Sequence, residues 1–147
     1  MSSRKSIPFD VTLQVRDSCL CLHVQRAARA LARRFDEVLR PLELTNGQFS
    51  LLMSLNRPEP PSIADVSSLL AMDRTTLTAN LKPLERRGLV RISVDKEDRR
   101  SHRPALTAAG REMLAKAVPL WKREHAATER LLKSGADRLR ADLRVLS

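Results

Sequence analysis

At Gly88 the spacing of apolar residues changes from helical to extended. Upstream, Leu77, Leu81 and Leu84 recur at intervals of four and three, the stripe of an amphipathic helix. Downstream, Val90, Ile92 and Val94 alternate with Arg91 and Ser93, as in a half-buried strand. Gly88 suits the position just past a helix C-terminus. Residues 95–100 are polar and charged, a hairpin tip, and residues 102–106 supply a return strand. Pro104 has no N–H to donate, so that strand must lie at an edge. Upstream of the stripe, Ser62 to Asp65 reads as the start of a short helix burying Ile63, Val66 and Leu70. Residues 71–73 interrupt it, and Asp73 is placed to cap the next helix. Two short helices, a three-residue turn and a hairpin with a basic tip make the plan of a winged helix-turn-helix.

Helical periodicity dominates the rest. Leu20, Val24, Ala27, Leu31, Phe35, Val38 and Leu39 predict a helix over about 17–39, closed by Pro41. Thr45 and Gln48 match a capping box opening a helix with Phe49, Leu52, Met53 and Leu55 inward. Three prolines within residues 56–61 demand a loop. Thr107 can cap a long helix containing Met113, Leu114, Ala117, Val118 and Trp121, with a kink expected at Pro119. Ser134 and Gly135 separate it from a last helix carrying Leu139, Leu143 and Leu146. The expected fold is mainly α with a small β-wing. Residues 1–44 form an arm and dimerisation helix, 45–107 a winged helix-turn-helix lobe, and 108–147 C-terminal dimerisation helices.

Charge points to a polyanion. The 147 residues carry 27 Lys and Arg against 17 Asp and Glu, a formal net charge of +10. Aromatic residues are only 3%, too few for a protein that stacks single-stranded bases. In the helix-turn-helix mode the second helix enters the major groove of duplex DNA. With the leucines inward, its outer face carries Thr75, Thr78, Ala79, Lys82 and Arg86, with Arg74 and Thr76 in the first turn. The tip adds Arg99, Arg100 and Arg103 for phosphates or the minor groove, and Asp98 is read as an ion-pair partner holding a neighbouring arginine. From Asp73 to Arg103 there are nine basic and five acidic residues.

These residues resemble a known family. The run Leu77-Thr-Ala-Asn-Leu-Lys-Pro-Leu-Glu-Arg-Arg-Gly-Leu-Val90, then Asp98-Arg-Arg100, then Leu106-Thr-Ala-Ala-Gly110 is similar to the MarR (multiple antibiotic resistance regulator) family. The resemblance implies a homodimeric winged-helix regulator with interleaved terminal helices and a palindromic double-stranded DNA operator. It also implies a small-molecule effector or an oxidant that releases DNA. Dimerisation has a separate physical argument. Leu120, Trp121, Leu131, Leu132, Leu139 and Leu143 exceed what a small lobe can cover, and Ile7, Phe9, Val11 and Leu13 offer a partner surface.

Other residues carry competing readings. Cys19 and Cys21 invite a redox role. They also suit plain apolar packing, and on one helix they would point to opposite sides. His23, Arg26, Phe49 and Trp121 are candidates for an effector pocket, against core packing or a solvated arginine face. The scattered histidines have no metal-ligand spacing, and no cofactor is expected. No nucleophile–base pair, paired carboxylates or phosphate loop marks an enzyme. The start lacks an apolar signal core, and no apolar run nears the roughly 18 residues of a membrane span, so a cytoplasmic chain without a membrane partner is expected. The competing function is a winged-helix protein–protein adaptor, which lacks sequence-specific DNA affinity.

Overall fold

A computed structural model describes residues 6–147; of the opening segment used to judge the signal, residues 1–5 lie outside them. The element order is α1 (Phe9–Ser18), α2 (Leu20–Leu39), a 3-10 turn (Arg40–Leu42), α3 (Asn46–Ser54), α4 (Ile63–Leu70), α5 (Arg74–Arg86), β1 (Val90–Val94), β2 (His102–Leu106), α6 (Ala108–Glu129) and α7 (Ala136–Leu146). Two compact units divide between Arg34 and Phe35. No helix among the described residues is long and apolar enough to cross a membrane.

The first unit corrects the expected helix over 17–39. Helix α1 forms earlier, opening after Pro8, and Cys19 stands in extended backbone (φ −68°, ψ 111°) before α2 begins. Apolar residues 7, 9, 11, 13 and 15 recur every second position, which hides a helix from periodicity. Asp10 in the first turn and Arg16 in the last complement the helix dipole. Ile7, Phe9, Val11 and Val15 are exposed.

In the second unit the caps are where their chemistry requires. Thr45 with Gln48, and Ser62 with Asp65, form reciprocal capping boxes. Asp73 accepts the Thr76 amide and Thr107 accepts the Gly110 amide. Asp36 reaches across the turn to take both the backbone and side-chain N–H of Asn46, at 2.7 and 2.8 Å. Ala71 adopts the left-handed conformation, φ 50°, that ends α4 and aims the chain into α5. Leu52, Val66, Leu77, Leu81, Leu84 and Val90 are sealed in one core with Leu39, Leu114 and Ala117. The two strands pair antiparallel, Val90 opposite Leu106 and Ile92 opposite Pro104. Pro104 lies at an edge, since a two-stranded sheet has nothing else, and its ring is buried. Helix α6 passes through Pro119 as one element.

The Leu-Thr-x-x-Gly junction has a steric cause. Leu106 is buried, and Thr107 donates its hydroxyl to the Gly88 carbonyl at 2.6 Å while capping α6. Gly110 then passes so close that a Cβ would stand 2.1 Å from the Leu89 carbonyl oxygen. Alanine ordinarily gains about 1 kcal/mol over glycine inside a helix, but here it must push α6 away from the Leu89 backbone just ahead of β1. Gly110→Ala is therefore expected to destabilise the fold by about 1–3 kcal/mol in denaturant unfolding, and a stabilised variant would contradict this packing.

Three helix-cap carboxylates also make a pH prediction. Asp36, Asp65 and Asp73 are each held below the usual carboxylate value of 3.8, foremost by the backbone N–H groups they accept. A depressed folded value means stability that is full above the unfolded value and is lost as pH falls through the folded one. Asp36→Ala should lower the melting temperature at pH 7 and flatten its fall in acid; a parallel acid limb would contradict the capping role.

Candidate nucleic-acid interface

Helix α5 shows distinct faces because three of its leucines are fully buried. Leu77, Leu81 and Leu84 each have 0% exposure, so at about 100° per residue the opposite arc is fixed. Thr75, Thr78, Ala79, Lys82 and Arg86 are all exposed, as Arg74 is at the N-terminus. Thr76 is engaged locally: its amide and hydroxyl both donate to Asp73, at 2.8 and 2.7 Å. Pro83 lies inside the helix. Lacking an N–H, it leaves the Ala79 carbonyl without its intrahelical donor on the exposed side.

The wing stands beside this helix. A cleft of about 480 Å3 is lined by Arg74, Thr78 and Leu81 from α5, Ile92 from β1, Asp98, Arg100, Ser101 and His102 from the wing, and Ile63 and Ala64 from α4. It gathers Arg74, Thr78, Asp98 and Arg100, while Thr75, Ala79, Lys82, Arg86 and Arg99 lie outside its lining. His102 is a member that sequence reasoning passed over; its place in a strand-period segment beside the tip was the available signal.

The expected ion pair of the wing needs correction. Asp98 does not pair with a neighbouring guanidinium. Its carboxylate accepts the Arg100 backbone amide at 3.0 Å, a turn-forming contact. The wing's ion pair joins Asp95 and Arg103 at 2.6 Å, and Arg103 also donates to the Pro60 carbonyl at 2.9 Å. Arg103 thus has two of its guanidinium N–H groups engaged by protein acceptors. Bonding to the backbone amide of Glu97, then to Arg103, holds the Asp95 carboxyl below its usual range. Arg87, absent from the expected set, donates to the Glu43 and Leu42 carbonyls at 2.7 and 3.3 Å and anchors the end of α5.

The effector candidates divide between two surfaces. His23 and Arg26 line a groove along α2 with Arg29 and Arg33, and His23 donates from Nδ1 to the Cys19 carbonyl at 2.7 Å. In the second unit Phe49 and Trp121 stack with ring centres 6.1 Å apart, and Trp121 stacks on His125 at 4.5 Å. They border an apolar cleft of about 480 Å3 with Met53, Leu69, Leu70 and Val118. Cys19 lies at the helix break and Cys21 is exposed in α2, where its sulfur accepts from Gln25 at 3.2 Å. The premise of one continuous helix through both cysteines therefore fails. Among the described residues no group of three or more His, Cys, Asp or Glu could hold a metal ion.

Comparison with known proteins agrees with this architecture. The model of the MarR family matches residues 44–102. The HTH-type transcriptional regulator TtmR of Methylorubrum extorquens is 39% identical over 103 residues, covering 70% of this chain and 53% of TtmR, so the match spans about half that relative. The organic hydroperoxide resistance transcriptional regulator of Bacillus subtilis is 30% identical over 101 residues, 69% of each chain. The solved structure of the M. tuberculosis regulator MosR in complex with DNA superimposes with a TM-score of 0.81 at 39% identity, over 88% of this chain and 93% of that one. A buried leucine stripe, an Asp-Arg-Arg wing tip and a Leu-Thr-x-x-Gly junction, in a fold and sequence shared with these regulators, place this chain in the MarR family of winged-helix transcriptional regulators.

Proposed function

We propose that the chain is a sequence-specific regulator that binds double-stranded DNA as a homodimer and represses transcription in the cytoplasm. The observation that carries this reading is the cleft joining Arg74 and Thr78 of α5 to Arg100 of the wing. Arg74, Thr75, Thr78, Ala79, Lys82 and Arg86 then face the major groove, with Thr76 and Asp73 holding the first turn. Arg99 and Arg100 address the flanking backbone or minor groove, and Asp98 shapes the tip. Exposed apolar side chains of α1 and of α7, Phe9, Val15, Leu139 and Leu143 among them, supply the dimer surface. A two-fold axis sets two copies of α5 about one DNA turn apart, on a palindromic operator.

Binding to operator duplex should separate two kinds of interaction. Arg99→Ala or Arg100→Ala weakens binding to every duplex and reduces the slope of log affinity against log salt by about 0.9 for each phosphate left unneutralised. Arg74→Ala or Thr78→Ala instead relaxes discrimination at particular base pairs by about 1–3 kcal/mol. Equal affinity of the unaltered protein for all duplexes would refute the sequence-specific reading.

Release follows if an effector or oxidation favours a dimer whose two reading helices no longer match the operator spacing. The Phe49–Trp121 cleft suits an apolar small molecule. Cys19 and Cys21 suit a hydroperoxide: the thiols give up two electrons and two protons to form a disulfide, and the peroxide leaves as alcohol and water. Thiol titration before and after organic hydroperoxide treatment, with DNA affinity measured on the same samples, should show thiols and affinity falling together. Oxidised thiols with undiminished affinity would refute the redox arm.

A further inference from the structure

We infer that Arg103 is a strut that sets the pitch of the wing against the helix-turn-helix, and so determines how closely the operator must match. This rests on the DNA-binding reading above. Three observations converge. The Arg103 guanidinium donates in two directions, from Nε to Asp95 at the base of the wing loop and from Nη1 to the Pro60 carbonyl. Pro60 lies two residues before Ser62, the cap of α4, and α4 packs directly on α5. The Asp95 side chain is only 13% exposed, and its other oxygen accepts the Glu97 amide at 2.9 Å.

The surroundings of Arg103 argue against a phosphate partner. Asp95, Asp65 and Glu97 all act on it electrostatically, and they raise its pKa with Asp95 the largest cause. Releasing it to DNA would break two hydrogen bonds and leave the Asp95 carboxylate without its guanidinium partner. Arg99 and Arg100 make no such ion pair among the described residues. The wing also needs an anchor, because an isolated two-stranded hairpin is marginal. Arg100 and Arg99 lie three and four residues before Arg103, in the turn that joins the two strands. A loosened base therefore moves the tip. Lysine cannot replace this arrangement, since one ammonium lacks the planar fork that spans both acceptors.

The test uses the full chain and the duplex it selects from a random library, with a scrambled duplex of equal length for reference. Arg103→Ala should speed hydrogen exchange of the β1 and β2 amides and lower the selected-to-scrambled affinity ratio about tenfold, the scale of a coupled interaction. Arg103→Lys should keep the melting temperature yet lose the same ratio. Asp95→Asn should weaken operator binding even though it removes a negative charge. The strut is overturned if Arg103→Ala retains the unaltered exchange and ratio. It is overturned equally if affinity falls alike on both duplexes and lysine restores it, the signature of direct phosphate binding. Should the unaltered protein select no duplex, the DNA reading fails, and hydrogen exchange alone still decides whether Arg103 braces the wing.

Discussion

Burial of Leu77, Leu81 and Leu84 is the constraint from which the candidate interface follows. A helix with three side chains sealed at 0% exposure cannot rotate about its axis without bringing apolar surface into water. Each such leucine is worth about 1.5–3 kcal/mol of burial. That cost fixes Arg74, Thr75, Thr78, Lys82 and Arg86 on the remaining arc. The same core takes in Val66 from α4 and Val90 from β1, so brace, reading helix and wing are positioned by one packed cluster.

Around that cluster, polar groups settle what apolar packing leaves free. Asp73 ends the turn by holding Thr76, Thr107 ties the hairpin to α6 through the Gly88 carbonyl, and Arg87 ties the end of α5 to residues 42 and 43. Asp95 and Arg103 do the corresponding work for the wing. Basic residues thus divide by partner: Arg87 and Arg103 hold the protein together, whereas Arg99 and Arg100 remain presented at the tip. Net charge alone says nothing of this division.

Local rules make much of the lobe legible. Capping pairs, the glycine after α5 and the switch from helical to alternating spacing each depend on near neighbours, and residues 102–106 form the expected strand. Helix α1 is hidden because its apolar residues alternate. The fate of Arg103 depends on a carbonyl 43 positions away, and nothing in the local sequence separates it from Arg99. The role of Asp98 escapes for a different reason: an acid beside arginines reads as an ion pair, but at a tight turn the nearest donor is backbone. The Phe49–Trp121 stack joins α3 to α6 and needs the fold to bring its rings together.

Under the proposed function, two copies of α5, outer faces forward, meet one duplex across a dyad with wings on its flanks. Hydroxyl-radical footprinting of a bound duplex reads that geometry strand by strand. Two protected patches related by two-fold symmetry, with centres about 10 base pairs apart and weaker protection outside each, are the expected result. A single unsymmetrical patch, or uniform protection along the duplex at the same occupancy, would rule out two reading helices related by a dyad.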